Sequence, residues 1–398
     1  MLSVIERARR RYSEDGVVGV TSAAKYHVRK SLNPRQLYWR YVASRPYSRV
    51  SRVVPGCVAI AVTEQCNLRC QYCARRTISQ VPDMKVEDYK RLVKKMWWCH
   101  SGVNLIGLGE QLLHKDIVEI LNWTTKRTTV TLATNGMVDL ERKRLLDALL
   151  RCRLVRFSID TVDKNLLRKI RTGADFDTID HNLRALLLAR RMRGIPSNVT
   201  KRRVQLPIVS IESVLTQDTL PGVIDVIRYA RQLEGLDDIK FDSVMWSEYQ
   251  DAYGCLRQSE GQNGRQHILE AVSYVREHGD LYAFASTDSE CATHTSKLFV
   301  RGLVPDRVFS SPTAWSQCRA LYDGLGVRPN GDIYPCCYKP DVRIGNAFTE
   351  DVLAAWNGPV MQEIRNQVLT DNPPECCHEC NLAFQGTYPQ WTPKIPAR

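Results

Sequence analysis

Between residues 57 and 246 of the 398-residue chain, six short apolar runs alternate with stretches of helical spacing. The runs are CVAIAVT (57–63), VNLIGLG (103–109), TTVTLAT (128–134), LVRFSID (154–160), QLPIVSIESVL (205–215) and DDIKFDSVMW (237–246). Between them lie VEDYKRLVKKMW, KDIVEILNWTTKR, ERKRLLDALLR, FDTIDHNLRALLLARRM and LPGVIDVIRYARQL, in which apolar residues recur at three- and four-residue intervals. Regular strand–helix alternation predicts a parallel sheet with helices outside it. Right-handed crossovers curl such units into a full or partial barrel, so the expected fold is α/β, a partial (βα)6 barrel. In barrels of this kind the chemistry sits at the C-terminal ends of the strands.

Directly after the first strand comes VTEQCNLRCQYCARR (62–76), with Cys66, Cys70 and Cys73 spaced C-x3-C-x2-C. A structural zinc site takes four ligands, and an electron-transfer iron–sulfur cluster normally takes four thiolates. Three thiolates leave one position open to a small molecule. The chain is long enough to bury a full core without disulfides, so its 14 cysteines need another explanation. No apolar run reaches the roughly 18 residues of a membrane-spanning helix, and MLSVIERARRRYSEDG lacks a secretory h-region. A reducing cytosol is expected, where clustered cysteines are metal ligands more often than disulfides.

The C-x3-C-x2-C loop, with Tyr72 before its last cysteine, resembles the signature of the radical S-adenosylmethionine (SAM) superfamily. The resemblance implies that Cys66, Cys70 and Cys73 hold three irons of a 4Fe–4S cluster, the fourth being chelated by SAM. One electron would then split SAM to a 5′-deoxyadenosyl radical that abstracts hydrogen from a substrate. It implies an electron donor of flavodoxin or ferredoxin type. IGLGEQLLH (106–114) is similar to the family's Gly-Gly-Glu motif: Gly109 and Glu110 match, whereas Leu108 and Gln111 depart from the commoner Gly and Pro. Glu110 would pair with the SAM ammonium. ATNG (133–136), with Asn135, and FSID (157–160) end the next two strands; there Ser158 would touch SAM and Asp160 would face the substrate. RKIRTGADFDTI (168–179) resembles a stretch whose arginine grips the SAM carboxylate, which nominates Arg171, with Arg168 competing.

A second cysteine set lies between 318 and 380. Taken bare, Cys318, Cys336, Cys377 and Cys380 read as two separated pairs that suit structural zinc as well as iron–sulfur. The pattern resembles the SPASM/twitch extension of radical SAM enzymes, and in its shorter twitch form these four cysteines would hold one auxiliary 4Fe–4S cluster. Cys337 and Cys376 stand beside two of them, and a shift of one residue would exchange either. Cys57, Cys99, Cys152, Cys255 and Cys291 read as small buried residues. The sharper alternative is a hydrogen-atom donor of the kind some family epimerases use, for which Cys255, just past the sixth strand, is the candidate.

Residues 1–52 carry twelve Lys/Arg against three acids, nine of the thirteen excess positive charges, with Tyr26, Tyr38, Trp39, Tyr41 and Tyr47 interleaved. This suits an anionic membrane surface or a phosphate-bearing substrate, with nucleic acid a weaker choice, unless the arm only wraps the main domain. The expected organisation is a basic aromatic segment (1–55), the barrel (56–250), a linking region (251–315) in which 254–266 is loop and 267–279 a helix, and the auxiliary-cluster module (316–398). The expected reaction is hydrogen abstraction leading to oxidation or epimerisation, of a sugar or lipid-linked glycan, by a cytoplasmic enzyme peripheral to the membrane. The rivals are a peptide-modifying maturase of the same superfamily and a non-enzymatic metal protein that binds nucleic acid.

Overall fold

Toward the C-terminal ends of the central strands buried and half-buried residues alternate, because side chains on a strand point to opposite faces in turn. On Val130–Thr134 the buried residues are Val130, Leu132 and Thr134; on Leu154–Ser158 they include Val155 and Phe157, while Arg156 and Ser158 are half-buried. The computed structural model describes residues 50–51, 54–76, 78–96, 98–99, 102–193, 207–243, 261–278, 280–284, 298–301, 318, 320–336, 341–370, 374 and 377. All of them belong to one compact unit, Ser48–Arg398.

The strands are β1 (Cys57–Ile60), β2 (Arg69–Cys70), β3 (Val103–Leu105), β4 (Val130–Thr134), β5 (Leu154–Ser158), β6 (Arg171–Thr172), β7 (Ile208–Leu215), β8 (Asp238–Ser243), β9 (Leu281–Phe284), β10 (Leu298–Arg301), β11 (Gly324–Val327), β12 (Asp332–Tyr334) and β13 (Gly345–Asn346). Eleven of them form one sheet in the order β13-β12-β11-β1-β3-β4-β5-β7-β8-β10-β9. The run β1-β3-β4-β5-β7-β8 is parallel throughout and steps in one direction. Right-handed crossovers between successive neighbours put every connecting helix on the same side. Such a sheet curls with one face under helices and the other inward, and this is the partial (βα)6 barrel the sequence predicts. The helices are α1 (Val86–Lys95), α2 (Ile117–Thr125), α3 (Leu145–Leu149), α4 (Lys164–Ile170), α5 (Phe176–Met192) and α6 (Val223–Gln232). Val58, Ile60, Leu105, Leu132, Val155, Phe157, Val209, Ile211 and Ile239 on the sheet, with Leu92, Ile120, Leu149, Leu183, Leu186 and Ile227 on helices, are buried. Each contributes about 1.5–3 kcal/mol by leaving water.

The inner face reads differently. Asn104, Thr131, Arg156, Ser158, Ser210, Glu212, Asp238, Lys240 and Asp242 occupy the opposite parity. The barrel interior is therefore polar and charged beneath its C-terminal rim.

Three features differ from the sequence reading. Helix α4 was not expected; it has seven residues, too few for a periodic pattern, and is started by Asp163, whose carboxylate accepts from the Asn165 and Leu166 amides. Strand–helix alternation does not stop at 250: α7 (Gly261–Glu277) begins within the stretch read as loop, and β10 and β9 add parallel strands beyond β8. Gly261, Asn263 and Gly264 are poor helix formers, which hides that start. The C-terminal strands, finally, continue the barrel's own sheet. β11 runs parallel along β1, pairing Cys57 with Gly324 and Ile60 with Val327, and β12 and β13 follow antiparallel. Gly326 cannot carry a side chain there, since a Cβ would lie 1.9 Å from the Tyr334 ring.

Helices α8 (Ala320–Asp323), α9 (Val352–Trp356) and α10 (Pro359–Leu369) pack behind this hairpin around a buried cation. The Arg365 guanidinium lies 4.4 Å from the Trp356 ring centre and 5.1 Å from that of Tyr322, and donates to Leu321 O and Asn357 Oδ1. Burial pushes its pKa down to about 10.

Candidate active site at the rim of the barrel

The cysteine loop leaves β1 and is pinned to the far side of the rim. β2 pairs antiparallel with β6, Cys70 opposite Arg171, and Gln71 N–H donates to Ile170 O at 2.9 Å. Cys73 N–H reaches back to Cys70 O at 3.3 Å, and Ala74–Arg76 completes a short 3-10 turn. All three cysteines are half-buried and line one cavity of about 550 Å³, shared with Leu68, Arg69 and Thr172. Burial raises the Cys66 thiol and pushes Cys70 up to about 11, against the pull of Arg171. These groups become thiolates when the positive charge of a metal offsets that burial.

Among the described residues no three His, Cys, Asp or Glu side chains converge on a single ion. A mononuclear zinc site requires such convergence. A cubane does not, because each thiolate binds a different iron. Three thiols spread around one cavity fit a cluster.

The segment after β3 brings Glu110 onto the same loop. A Cβ on Gly109 would lie 2.5 Å from Thr63 O, so only glycine permits the approach. Glu110 N–H then donates to Gln65 O at 2.8 Å. The Glu110 carboxylate is buried and accepts from Asn135 N–H at 2.7 Å and Leu112 N–H at 3.1 Å. Burial pushes its pKa up to about 7, while those two amides pull the other way.

Gln111, the departure from the expected proline, has a role of its own. Its Oε1 accepts from Val62 N–H at 2.7 Å, and its Nε2 donates to Thr63 O at 3.2 Å and Gly109 O at 3.1 Å. One buried amide thus fastens the glutamate turn to the end of β1. Asn135 closes the ring: its Nδ2 lies 2.7 Å from Asn67 Oδ1 and 3.8 Å from Cys66 Sγ.

Asp160 and Arg171 meet under Cys70. Arg171 donates to both carboxylate oxygens, Tyr72 Oη donates to Oδ2, and Val214 N–H donates to Oδ1 at 2.9 Å. Arg168, the competing choice, sits at the surface and pairs with Asp175 at 3.5 Å. Ser158 is on the inner face, opposite Glu212 in register. Below the rim, Arg156, Glu212, Lys240 and Asp242 form a charged quartet. Glu212 Oε1 is 3.4 Å from Arg156 and 3.1 Å from Lys240, and Lys240 also pairs with Asp242.

In the C-terminal set, Cys318, Cys336 and Cys377 are half-buried, Cys318 before α8 and Cys336 after β12. Cys380, Cys337, Cys376, Cys291 and the candidate hydrogen donor Cys255 lie outside the described residues. Cys99 and Cys152 are buried core residues, Cys152 pushed up to about 12 by burial. Sequence reasoning missed the role of Gln111, which left a local trace as a break in the motif, and the quartet, which left none.

The model of the radical SAM superfamily matches residues 60–216, and that of an iron–sulfur cluster-binding domain, SPASM, matches 318–381. Residues 60–216 are a radical SAM domain. The chain is 30% identical over 190 residues to a probable GTP 3′,8-cyclase of Methanopyrus kandleri, covering 45% of the chain and 54% of the relative. It is 36% identical over 138 residues to the GTP 3′,8-cyclase of Chlorobaculum tepidum, covering 33% and 40%. The chain thus spans about half the length of the curated relatives it matches. Among solved structures it resembles Streptococcus suis SuiB bound to precursor peptide SuiA, with a TM-score of 0.58, 17% identity, and 83% and 70% of the two chains covered. It also resembles anSMEcpe with bound AdoMet and a peptide, with a TM-score of 0.56, 18% identity, and 82% and 88% covered. At these identities the likeness is one of fold. Radical SAM and SPASM domains together imply 4Fe–4S clusters and SAM binding.

Proposed function

We propose that the enzyme abstracts hydrogen from an unactivated C–H of a polar, polyhydroxylated and anionic substrate, such as a sugar or lipid-linked glycan intermediate, leading to oxidation or epimerisation. The observation that carries the substrate class is the charged inner face. Arg156, Glu212, Lys240 and Asp242 line the wall beneath the rim, where an apolar substrate would leave charges desolvated and unmatched. Carboxylates and cations side by side suit hydroxyl and phosphate groups together.

A 4Fe–4S cluster with SAM, when bound, supplies the one-electron chemistry that makes hydrogen abstraction possible. The chain's own residues do the rest. Cys66, Cys70 and Cys73 would hold the cluster, Glu110 would take the SAM ammonium, and Asn135 keeps the glutamate and the cysteine loop in one frame. Asp160 with Arg171 orders the floor under Cys70, and Ser158 offers a hydroxyl just below. Cys318, Cys336, Cys377 and Cys380 would hold the auxiliary cluster, an electron acceptor suited to a two-electron oxidation.

Arg69, Arg75 and Arg76 line the cysteine cavity, which suits an acidic donor of flavodoxin or ferredoxin type. The basic segment 1–55 suits peripheral contact with an anionic membrane, and no described helix is long and apolar enough to cross one.

A second reading has support of its own. The curated relatives are named GTP 3′,8-cyclases, and a purine nucleotide is also polar and anionic. A substrate panel separates the two. Nucleotide sugars, lipid-linked sugars, GTP and peptides are each added with SAM and reductant, and 5′-deoxyadenosine and products are followed. Stimulation by a sugar substrate, with loss of two hydrogens or solvent-deuterium uptake at carbon, supports the proposal. A cyclised product from GTP, or stimulation by peptide alone, contradicts it.

A further inference from the structure

We infer that Arg328, from the C-terminal module, is a positioning residue of the SAM-cluster loop, and that the module thereby forms part of the first cluster's site. The inference rests on the reading that Cys66, Cys70 and Cys73 hold that cluster.

Arg328 follows β11 directly. The ladder to β1 continues to Ala61, whose N–H donates to Val327 O at 2.9 Å, so Arg328 stands level with the end of β1. Its turn is closed by Gly331, at φ +86°, and by the Arg328 N–H bond to Asp332 O at 2.9 Å. The guanidinium is therefore presented from fixed backbone. It meets Glu64 in a two-point contact, Nε to Oε1 at 2.8 Å and Nη2 to Oε2 at 3.0 Å, and Nη2 also donates to Ser79 O at 2.6 Å. The Glu64 side chain is 2% exposed and that of Arg328 13%.

Glu64 in turn holds both stems of the loop. Its Oε2 accepts from Val81 N–H at 3.1 Å, and its carbonyl accepts from Arg75 Nε at 2.6 Å. One ion pair thus ties residue 64 to residues 79–81, and the segment between contains all three cysteines. A buried carboxylate is tolerable while its cation is present. Without Arg328, Glu64 loses its two-point partner and must turn toward water, which releases the loop. A residue 264 positions away in sequence acts on the cluster through the loop's shape. A pair that only holds the module in place would instead act on both clusters alike.

The test uses the full chain. Arg328→Ala, Arg328→Lys and Glu64→Gln are prepared, together with a Cys66→Ala/Cys70→Ala/Cys73→Ala variant that leaves the auxiliary pool alone. Without metal, limited trypsin digestion reads cleavage at Arg69, Arg75 and Arg76. With iron and sulfide restored, release to a ferrous chelator is timed for each pool, and the spectrum of the reduced cluster is recorded with and without SAM. Arg328→Ala is expected to speed loop cleavage, hasten first-pool iron release by about ten- to a hundredfold and blunt the SAM-dependent spectral change. Auxiliary release should stay within about twofold. Arg328→Lys should fall between, and Glu64→Gln should match Arg328→Ala. Wild-type cleavage and release in Arg328→Ala overturn the inference, as does equal acceleration of both pools. Should the triple cysteine variant keep the full iron complement, the reading of the loop itself falls.

Discussion

Asp160 and Arg171 form a two-point ion pair in the least solvated part of the site, Nε to Oδ2 at 2.6 Å and Nη2 to Oδ1 at 2.9 Å. The side chains are 0% and 8% exposed. Arg171 faces Cys70 across the β2–β6 ladder, and Asp160 lies two residues past the end of β5, so the pair joins the cysteine loop to the strand that carries Ser158. Burial alone would depress Arg171; Asp160, with Tyr72, more than reverses it and holds the guanidinium above its ordinary range. Removing one partner strands the other in low dielectric. Asp160→Asn is expected to cost about 3–5 kcal/mol, read by urea denaturation of the metal-free protein. A loss below about 1 kcal/mol, the scale of a solvent-exposed pair, would mean that water reaches the pair.

Glu110 gives a pH signature. Its folded pKa is pushed up to about 7 from 4.5. Between those values the unfolded chain has released the proton and the folded chain still holds it, so stability falls as pH rises through the window. The loss approaches about 3 kcal/mol above pH 7 by the pKa difference. Glu110→Gln in the metal-free protein should therefore match wild type near pH 4.5 and exceed it at pH 8, measured by thermal melting across that range. SAM binding should behave in the opposite sense, strengthening from pH 6 to 8 as the carboxylate ionises to meet the ammonium. Parallel stability curves for the two proteins would remove the raised pKa.

Gly109 and Gln111 together set where the Glu110 carboxylate sits. Gly109→Ala places a methyl 2.5 Å from Thr63 O and should cost about 1–3 kcal/mol as an overpacked contact. Gln111→Ala leaves Val62 N–H and Thr63 O without their present partner and should cost about 1–3 kcal/mol. Both should weaken SAM affinity, read by calorimetric titration of the reconstituted protein. Gln111→Pro restores the commoner residue and should do no better than alanine, because proline lacks the amide that fastens this turn. Full SAM affinity in Gln111→Pro would contradict that role.

The charged quartet predicts a separation of two activities. Lys240→Met and Glu212→Gln lie below the rim, away from Glu110 and the cysteines. Uncoupled 5′-deoxyadenosine formation should stay within about twofold of wild type, while the substrate-stimulated rate falls by at least about tenfold, the scale of one lost charge-assisted contact. Lys240 and Arg156 hold Glu212 down to about 2 against the upward push of burial. Its contribution to stability is thus present above pH 4.5 and lost as pH falls toward 2, so it stays ionised at working pH. Equal loss of both rates would assign the quartet to the fold.

Much of this arrangement is legible in local pattern. Apolar runs ending at Thr63, Gly109, Thr134, Asp160 and Leu215 mark the strand ends to within four residues, and the overshoot together with the residues just past it forms the rim. Cys66, Cys70, Cys73, Gly109 and Glu110 follow from spacing and resemblance. What is illegible is long-range. That β11 adds to the free edge of β1 depends on pairing across more than 260 positions, which no periodicity encodes. Arg328 reads as an ordinary turn arginine until that ladder sets it against Glu64. The quartet is hidden differently: Arg156, Glu212 and Lys240 stand on three separate strands, where each looks like a solvent-facing polar residue in an alternating pattern. Parity puts them on the inner face only once the crossovers have placed every helix on the other.

On the proposed function, the loop at 66–73 holds a SAM-cleaving cluster and a separate cluster sits in the C-terminal module. The most direct measurement is anaerobic: iron per chain and 5′-deoxyadenosine formed with SAM and dithionite, for wild type, the Cys66→Ala/Cys70→Ala/Cys73→Ala variant and a Cys377→Ala/Cys380→Ala variant. The expected result is about eight irons in wild type and about four in each variant, by four irons per cubane, with 5′-deoxyadenosine lost only in the first. Cleavage that survives loss of Cys66, Cys70 and Cys73, or careful reconstitution that yields neither iron nor cleavage in wild type, would contradict it.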